Sequence, residues 1–169
     1  MYEAMFRQMR KTLVQIDKWL EMAKAHAEAK ALDPKGFLEM RLAPDQFPFV
    51  KQVQGACDVA KAAASRLTGK EAPAMADTEQ SLDELRTRVQ ATVAYLDTFT
   101  AKDFAGAESR TVTQPRWEGK TMTGADYFIE HAVPNFYFHT SHAYAILRHA
   151  GVPLGKRDFL GTLTMRAPS

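Results

Sequence analysis

The feature that most constrains the fold is an apolar stripe in the first thirty residues. Apolar side chains recur there at alternating steps of three and four, at Phe6, Met9, Leu13, Ile16, Leu20, Ala23 and Ala27. Since an α-helix repeats every ~3.6 residues, this spacing puts all seven on one helical face. The stripe predicts a long amphipathic helix that ends before Asp33-Pro34-Lys35-Gly36, because proline disfavours helical geometry in the residue before it. Such a helix needs other elements to cover its apolar face.

Two further segments repeat this pattern. The first follows residues 43–48, where Pro44 suits a first helical turn, and Gly69 ends it; its stripe is Val50, Val53, Cys57, Ala60, Ala64 and Leu67. Residues 69–77 have no apolar period and are expected to form a linker. The second segment follows the candidate N-caps Asp77, Thr78 and Ser81, and its stripe is Leu82, Leu85, Val89, Thr92, Val93, Leu96 and Phe99.

The pattern changes between residues 100 and 122. Residues 110–114 alternate in a β-branched stretch, and residues 120–123 offer a return strand. We expect a small hairpin here, anchored on the helices by Val112 or Trp117, because an isolated hairpin is only marginally stable in water.

The last helix is predicted to start at a capping box formed by Thr123 and Asp126 and to stop at Gly151 and Pro153. Pro134 lies inside it and is expected to bend it. In the tail, residues 154–169, we expect Phe159, Leu160 and Leu163 to pack back on the helices. Four amphipathic helices and one hairpin predict an all-α four-helix bundle, as a single domain over residues 1–169.

Composition limits the classes of partner and compartment. The 22 basic and 20 acidic residues leave a net charge of +2, which argues against a nucleic-acid partner. No run of about 18 apolar residues occurs, so we expect no membrane span, and the first residues lack the apolar core of a signal peptide. Cys57 is the only cysteine, which is typical of a reducing compartment, so we expect a cytoplasmic protein.

Histidines concentrate on the last helix, at His131, His139, His142 and His149. Helical angles point His139 towards the apolar face, and His142, three residues on, can reach the same ion. Imidazole suits zinc or nickel, and Gln54 or Asp58 on the second helix can supply a further ligand. The alternative is that a hydrogen bond holds a buried His139, that His142 is a surface residue, and that Asp58 pairs with a lysine in solvent. The aromatic run of residues 135–139 can also floor a small-molecule pocket.

Three segments resemble a known bacterial family. They are Leu42-Ala43-Pro44-Asp45-Gln46-Phe47-Pro48 leading into Gln52-Val53-Gln54, then Pro134-Asn135-Phe136-Tyr137-Phe138-His139, and then Gly155-Lys156-Arg157-Asp158-Phe159-Leu160-Gly161. With them, nearly the whole chain resembles uncharacterised proteins of the DinB/YfiT-like superfamily of metalloenzymes. The resemblance implies a bundle of up-down-down-up type, usually a homodimer, in which one histidine of the second helix and two of the last hold a divalent metal, in some members for thiol transfer. This chain departs from that pattern, because its second helix has no histidine and His139 and His142 are three apart instead of four.

Two functions follow from these observations. The first is a divalent-metal-dependent enzyme of the thiol transferase or hydrolase type, with zinc or nickel held by His139, His142 and either Gln54 or Asp58. The second is a non-catalytic helical dimer that binds a small molecule or is purely structural, with a degenerate metal site. We expect a homodimer in both cases.

Overall fold

The structure is a computed structural model that describes residues 1–167. Four long helices make up most of it: α1 is Tyr2–Ala29, α2 is Phe49–Thr68, α3 is Leu82–Leu96, and α4 consists of the consecutive segments Gly124–Asp126, Tyr127–Ala132 and Val133–His149. A short helix, α5, spans Lys156–Leu160. Strands β1, Thr111–Val112, and β2, Met122–Thr123, pair before α4. Four 3₁₀ turns lie at Pro34–Phe37, Ala101–Phe104, Ala107–Ser109 and Pro115–Trp117.

The four long helices form a ring around one apolar core. Helix α1 packs beside α3, α3 beside α2, α2 beside α4, and α4 beside α1. All seven residues of the predicted α1 stripe are buried in this core, as are all six of the α2 stripe. The predicted all-α bundle with a small hairpin is therefore confirmed.

The ends of α2 and α3 follow local chemistry. Helix α2 begins at Phe49, directly after Pro48, and it ends at Gly69, which adopts a left-handed φ of 79°. Helix α3 begins after Ser81, whose Oγ accepts a hydrogen bond from the Glu84 amide at 3.1 Å. The prediction that Phe99 belongs to this helix is wrong, because α3 stops at Leu96. The Thr98 hydroxyl donates a hydrogen bond to a carbonyl of the last turn.

The hairpin is shorter than predicted. Thr111 pairs with Thr123 and Val112 with Met122, so each strand has only two residues. The expected strand ends early because Gln114 already leads into the 3₁₀ turn at Pro115, which has no amide hydrogen for a sheet. Val112 is the buried anchor, while Trp117 is half-buried.

The predicted cap and the predicted disturbance of α4 both occur. The Thr123 hydroxyl accepts from the Asp126 amide at 3.1 Å. Instead of a simple proline kink, a π-helical segment, Tyr127–Ala132, precedes Pro134, which then occupies the first turn of the segment Val133–His149. Pro134 has no amide hydrogen to donate to the Glu130 carbonyl, and the π-helical turn lies where that helical hydrogen bond is missing.

The tail docks through one aromatic residue. Phe159 stacks on Trp19 with ring centroids 5.7 Å apart, and the Trp19 indole donates to the Asp158 carbonyl at 3.1 Å. The prediction that Leu160 and Leu163 pack on the helices is wrong, because they are 39% and 50% exposed. Helix α5 is only five residues long and turns one face to the bundle. The predicted tail includes residues 168–169, which lie outside the described residues. Within residues 1–167, no helix combines the length and the apolar character needed to cross a membrane.

Candidate functional site

A cleft of about 410 Å³ lies between α2 and α4. Its side chains come from three elements: Gly55, Asp58, Val59, Ala62 and Arg66 on α2; Gln114, Pro115 and Arg116 in the loop after β1; and Tyr127, His131, Asn135 and His139 on α4. The α4 residues facing it recur every four positions, which keeps them on one helical face. The cleft is therefore an elongated groove that follows the two helices.

One wall of the groove depends on a glycine. A Cβ atom at Gly55 would lie only 2.7 Å from Cε1 of His139, which is closer than a normal contact between such atoms. The His139 ring therefore lies directly against the α2 backbone. Glycine inside a helix costs about 1 kcal/mol relative to alanine, and here it makes room for the imidazole.

Gln52 fixes the tautomer of His139. The buried Gln52 amide nitrogen donates to the Phe47 carbonyl at 3.1 Å, so its oxygen faces Nδ1 of His139 at 2.9 Å. Because that oxygen only accepts, Nδ1 carries the hydrogen and Nε2 carries a lone pair. No hydrogen-bond partner for Nε2 occurs among the described residues.

The tautomer of His131 follows from Arg116. The Arg116 Nη2 donates to Nε2 of His131 at 2.7 Å, and a guanidinium has no acceptor, so this nitrogen is unprotonated. The His131 ring also stacks on Tyr127, with centroids 5.4 Å apart. The Tyr127 hydroxyl in turn accepts from Arg66 at 3.0 Å.

The pKa values of both imidazoles are lowered, which favours their neutral form. Burial lowers the pKa of His131, and the charges of Arg116 and Arg66 lower it further. Burial also lowers the pKa of His139, with a smaller contribution from His142, while Asp58 acts in the opposite direction. The remaining charges of the groove are thus two guanidinium groups and one carboxylate.

The two guanidinium groups have no carboxylate partner within residues 1–167. Arg66 contacts the Tyr127 hydroxyl and Arg116 contacts neutral His131. Asp58 is the one acid among the described residues that line the groove, and its Oδ1 pairs with Lys61 at 3.2 Å and with buried Arg88 at 2.8 Å. The arginine end of the groove therefore has an uncompensated positive charge.

The structure brings together only some of the residues predicted from the sequence. His139 and Asp58 both line the groove. Gln54 faces away from it and donates to Glu79 at 2.7 Å, while His142 donates its Nδ1 hydrogen to the Phe138 carbonyl at 2.7 Å. The glutamine beside His139 is Gln52, two residues before the predicted one.

The donors present do not fit the three-histidine metal site that the resemblance implies. Within residues 1–167, no group of three or more His, Cys, Asp or Glu side chains is placed to hold a metal ion. Nε2 of His131 is occupied by the Arg116 guanidinium, whose charge opposes a cation at that position. The Oδ1 atom of Asp58 is shared between two cationic side chains.

Sequence reasoning missed several polar residues of the site, among them Gln52, Arg66, Gln114, Arg116 and His131. A signal existed for His131, because His131, Asn135 and His139 follow each other at steps of four. Arg66 continues the steps Gly55, Val59 and Ala62 along one face of α2. Arg116 lies in a loop, and no periodicity places a loop residue.

Comparisons with known proteins agree with this architecture. Residues 1–160 match the family model described as Domain of unknown function (DUF1993). A DinB family member protein from Shewanella denitrificans, whose crystal structure was determined at 1.83 Å resolution, is 44% identical, with a TM-score of 0.94 over 99% of this chain and 98% of that chain. No curated protein matches. By sequence and by fold, the chain belongs to the DUF1993 family and is a DinB-like protein.

Proposed function

We propose that the groove between α2 and α4 binds a small anionic molecule, which Arg66 and Arg116 hold. The observation that supports this proposal is the pair of guanidinium groups that share one cleft without a carboxylate partner in the described chain. Arg66 is half-buried and Arg116 is exposed, and two like charges that share one cleft without a carboxylate partner favour a ligand of opposite sign.

The remaining hydrogens of the two arginines match the oxygens of a carboxylate. Each guanidinium has five N–H donors in a planar fork, and each has one documented acceptor in the groove. The unused donors suit the two oxygens of a carboxylate, which a guanidinium binds bidentately. Both acceptors are neutral, so they hold the arginines in place without cancelling their charge.

Calorimetric titration with hexanoate tests this proposal. We expect saturable binding by the wild-type protein and at least tenfold weaker binding by Arg66→Met and by Arg116→Met, since a charged hydrogen bond contributes about 1.5–3 kcal/mol. Arg157→Met, at an exposed position of α5, is the matched control and keeps the wild-type affinity. Equal affinity of all four proteins, or no binding at all, contradicts the proposal.

A metal-dependent activity stays a separate prediction. The observation that favours it is the free lone pair on Nε2 of His139, although no group of three His, Cys, Asp or Glu side chains within residues 1–167 is placed to share an ion with it. In this prediction the ion is zinc or nickel, and His139 and His142 hold it together with Gln54 or Asp58. A thiol transferase or hydrolase reaction depends on this ion. Elemental mass spectrometry on untagged protein tests it: near-stoichiometric metal that is lost in His139→Ala and His142→Ala supports it, and metal-free protein that also fails to take up zinc or nickel contradicts it.

A homodimer and a cytoplasmic location also stay predictions. Cys57 is buried in the core, so its thiol is not available at the surface for a disulfide bond with another chain. A free cysteine fits a reducing compartment. Light scattering on the purified protein tests the dimer, which the resemblance to the superfamily supports.

A further inference from the structure

The two ends of the groove have opposite hydrogen-bonding character. At one end, Arg66 and Arg116 present donors. At the other end, His139 presents the lone pair of Nε2, and the Asp58 carboxylate lies on the facing wall. A ligand that fills the groove thus meets donors at one end and acceptors at the other.

The acceptor at the His139 end is enforced by the fold. Gln52 is fully buried, and its amide is oriented by the Phe47 carbonyl, so Nδ1 of His139 has to carry the ring hydrogen. Burial lowers the pKa of this ring, which favours its neutral form. A neutral imidazole with this tautomer accepts a hydrogen bond at Nε2 and cannot donate one there.

The spacing of the two ends is set by α4. Arg116 contacts His131, and His139 lies eight residues further along the same helix face. Eight residues at 1.5 Å each separate these positions by about 12 Å. Ala62 contributes a small side chain to the facing wall between them.

We propose that the ligand of this groove is an elongated carboxylic acid with a hydrogen-bond-donating group, a hydroxyl or an amine, at the far end of its chain. The carboxylate lies between Arg66 and Arg116, and the donor lies at Nε2 of His139. Gln52 is the positioning residue that keeps this nitrogen an acceptor. The inference rests on the proposed function and adds to it the chemical class of the ligand.

A matched pair of acids tests the inference. We expect 6-hydroxyhexanoate to bind about fivefold more tightly than hexanoate, which lacks only the hydroxyl, because one neutral hydrogen bond contributes about 1 kcal/mol. The preference disappears in His139→Phe, which has an aromatic ring without the acceptor, and it persists in His149→Gln, at an exposed position near the end of α4.

Nitrogen-15 NMR of the histidine side chains provides a readout that needs no ligand. Nε2 of His139 is expected to be unprotonated in the wild-type protein, and the tautomer preference is expected to be lost in Gln52→Leu. A protonated Nε2 in the wild-type protein overturns this inference. Equal affinities for the two acids, with both still dependent on Arg66, also overturn it but leave the proposed function intact. Failure of both acids to bind overturns the proposed function itself, and the inference with it.

Discussion

At the residue scale, the contact between Gly55 and His139 connects helix packing to the chemistry of the site. The absence of a side chain at Gly55 lets the imidazole lie on the α2 backbone, where Gln52, one turn earlier, reaches its Nδ1. The helix therefore accepts a residue of low helix propensity in the place where a larger one would displace the ring.

Substituting this glycine tests the contact. In Gly55→Ala, the new methyl group displaces the His139 ring, so the hydrogen bond from His139 to Gln52 is lost and the affinity for hydroxylated acids drops towards that for hexanoate. The gain in helix propensity, about 1 kcal/mol, offsets part of the cost in stability. Thermal unfolding and the Nδ1–H signal of His139 measure the two effects.

Gly36→Ala is the control for this substitution. A Cβ atom at Gly36 meets no other atom within 4 Å, so the variant keeps both the His139 signal and the affinity. An unchanged His139 signal in Gly55→Ala contradicts the account of this contact.

Cys57 is expected to be inert in the folded protein. Burial in the apolar core raises the pKa of its thiol to about 12, so almost no thiolate exists at pH 8. A thiol-specific disulfide reagent should react with it only as fast as the protein opens, and promptly in denaturant. Rapid reaction of one thiol per chain under native conditions contradicts this prediction.

Individual site residues could be predicted only where helical angles determine the direction of the side chain. The inward direction of His139 follows from its position relative to Phe136 and Ala143, and the structure places it in the groove. The choice between Gln52 and Gln54 depends on the rotation of α2, which periodicity fixes only to within about one residue. Arg116 reaches the groove because a loop folds over α4, and that is a tertiary effect.

At the element scale, the π-helical segment of α4 determines which side chains face the groove. It precedes Pro134 and includes His131. One π turn inserts an extra residue into the helix, and such turns often occur at functional sites. The segment therefore rotates His131 relative to His139 compared with an unbroken α-helix.

Replacing the proline tests this role. Pro134→Ala restores an amide hydrogen for the Glu130 carbonyl, so we expect α4 to become more regular and the free energy of unfolding to rise, by at most about 3 kcal/mol. We also expect the affinity for hexanoate to fall severalfold, because His131 and Arg116 move. Pro153→Ala, beyond the end of α4, should change neither quantity much; unchanged affinity in Pro134→Ala would show that the proline does not control the groove.

A buried arginine ties the segment before α3 to the bundle. Arg88, whose side chain is 2% exposed, pairs with Asp58 at 2.8 Å, Asp77 at 3.0 Å and Glu79 at 2.9 Å. Removing one partner of a buried ion pair leaves the others uncompensated. We expect Arg88→Met to lower the free energy of unfolding by about 3 kcal/mol.

The matched control is Arg86→Met, on the same helix. Arg86 pairs with Asp17 and Glu21 at a half-exposed position, where ion pairs contribute about 0–1 kcal/mol. Urea unfolding measures both variants. Equal losses contradict the structural role assigned to Arg88.

The elements themselves were largely predictable, and the failures have local causes. The stripes of α1 and α2 are regular over many turns, so the helices and their buried faces follow directly from them. The hairpin was overestimated because alternation in residues 110–114 is too short to distinguish a strand from an extended loop. The spacing of apolar residues does not predict the π-helical segment, and its sequence signal is the proline that follows it.

At the scale of the whole molecule, ion pairs between elements make stability depend on acid. Burial raises the pKa of Asp77 and of Glu79, but the hydrogen bonds and charges around them, chiefly those of Lys51 and Arg88, together lower it more. The side chain of Lys70 and the capping contacts of Thr100 lower the pKa of Asp103 to about 2. These carboxylates bind protons more readily in the unfolded chain, so their stabilising effect is complete above the unfolded pKa and is lost as the pH falls.

We therefore expect the free energy of unfolding to decrease as the pH falls from about 4 towards 2. Asp103→Asn should lower stability at pH 7 and flatten this dependence. Asp45→Asn, at an exposed position in the loop before α2, serves as the control. Urea unfolding at a series of pH values measures the dependence, and parallel curves for Asp103→Asn and the wild-type protein contradict the assignment.

The central claim is that Arg66 and Arg116 jointly hold an anion in the groove. The most direct test follows the side-chain Nε signals of the arginines by nitrogen-15 NMR while hexanoate is added. The account predicts that the signals of Arg66 and Arg116 shift together along one saturable curve, while those of Arg86 and Arg157 stay in place. If the two groove signals do not shift, or if all arginine signals drift together without saturation, the groove is not an anion site.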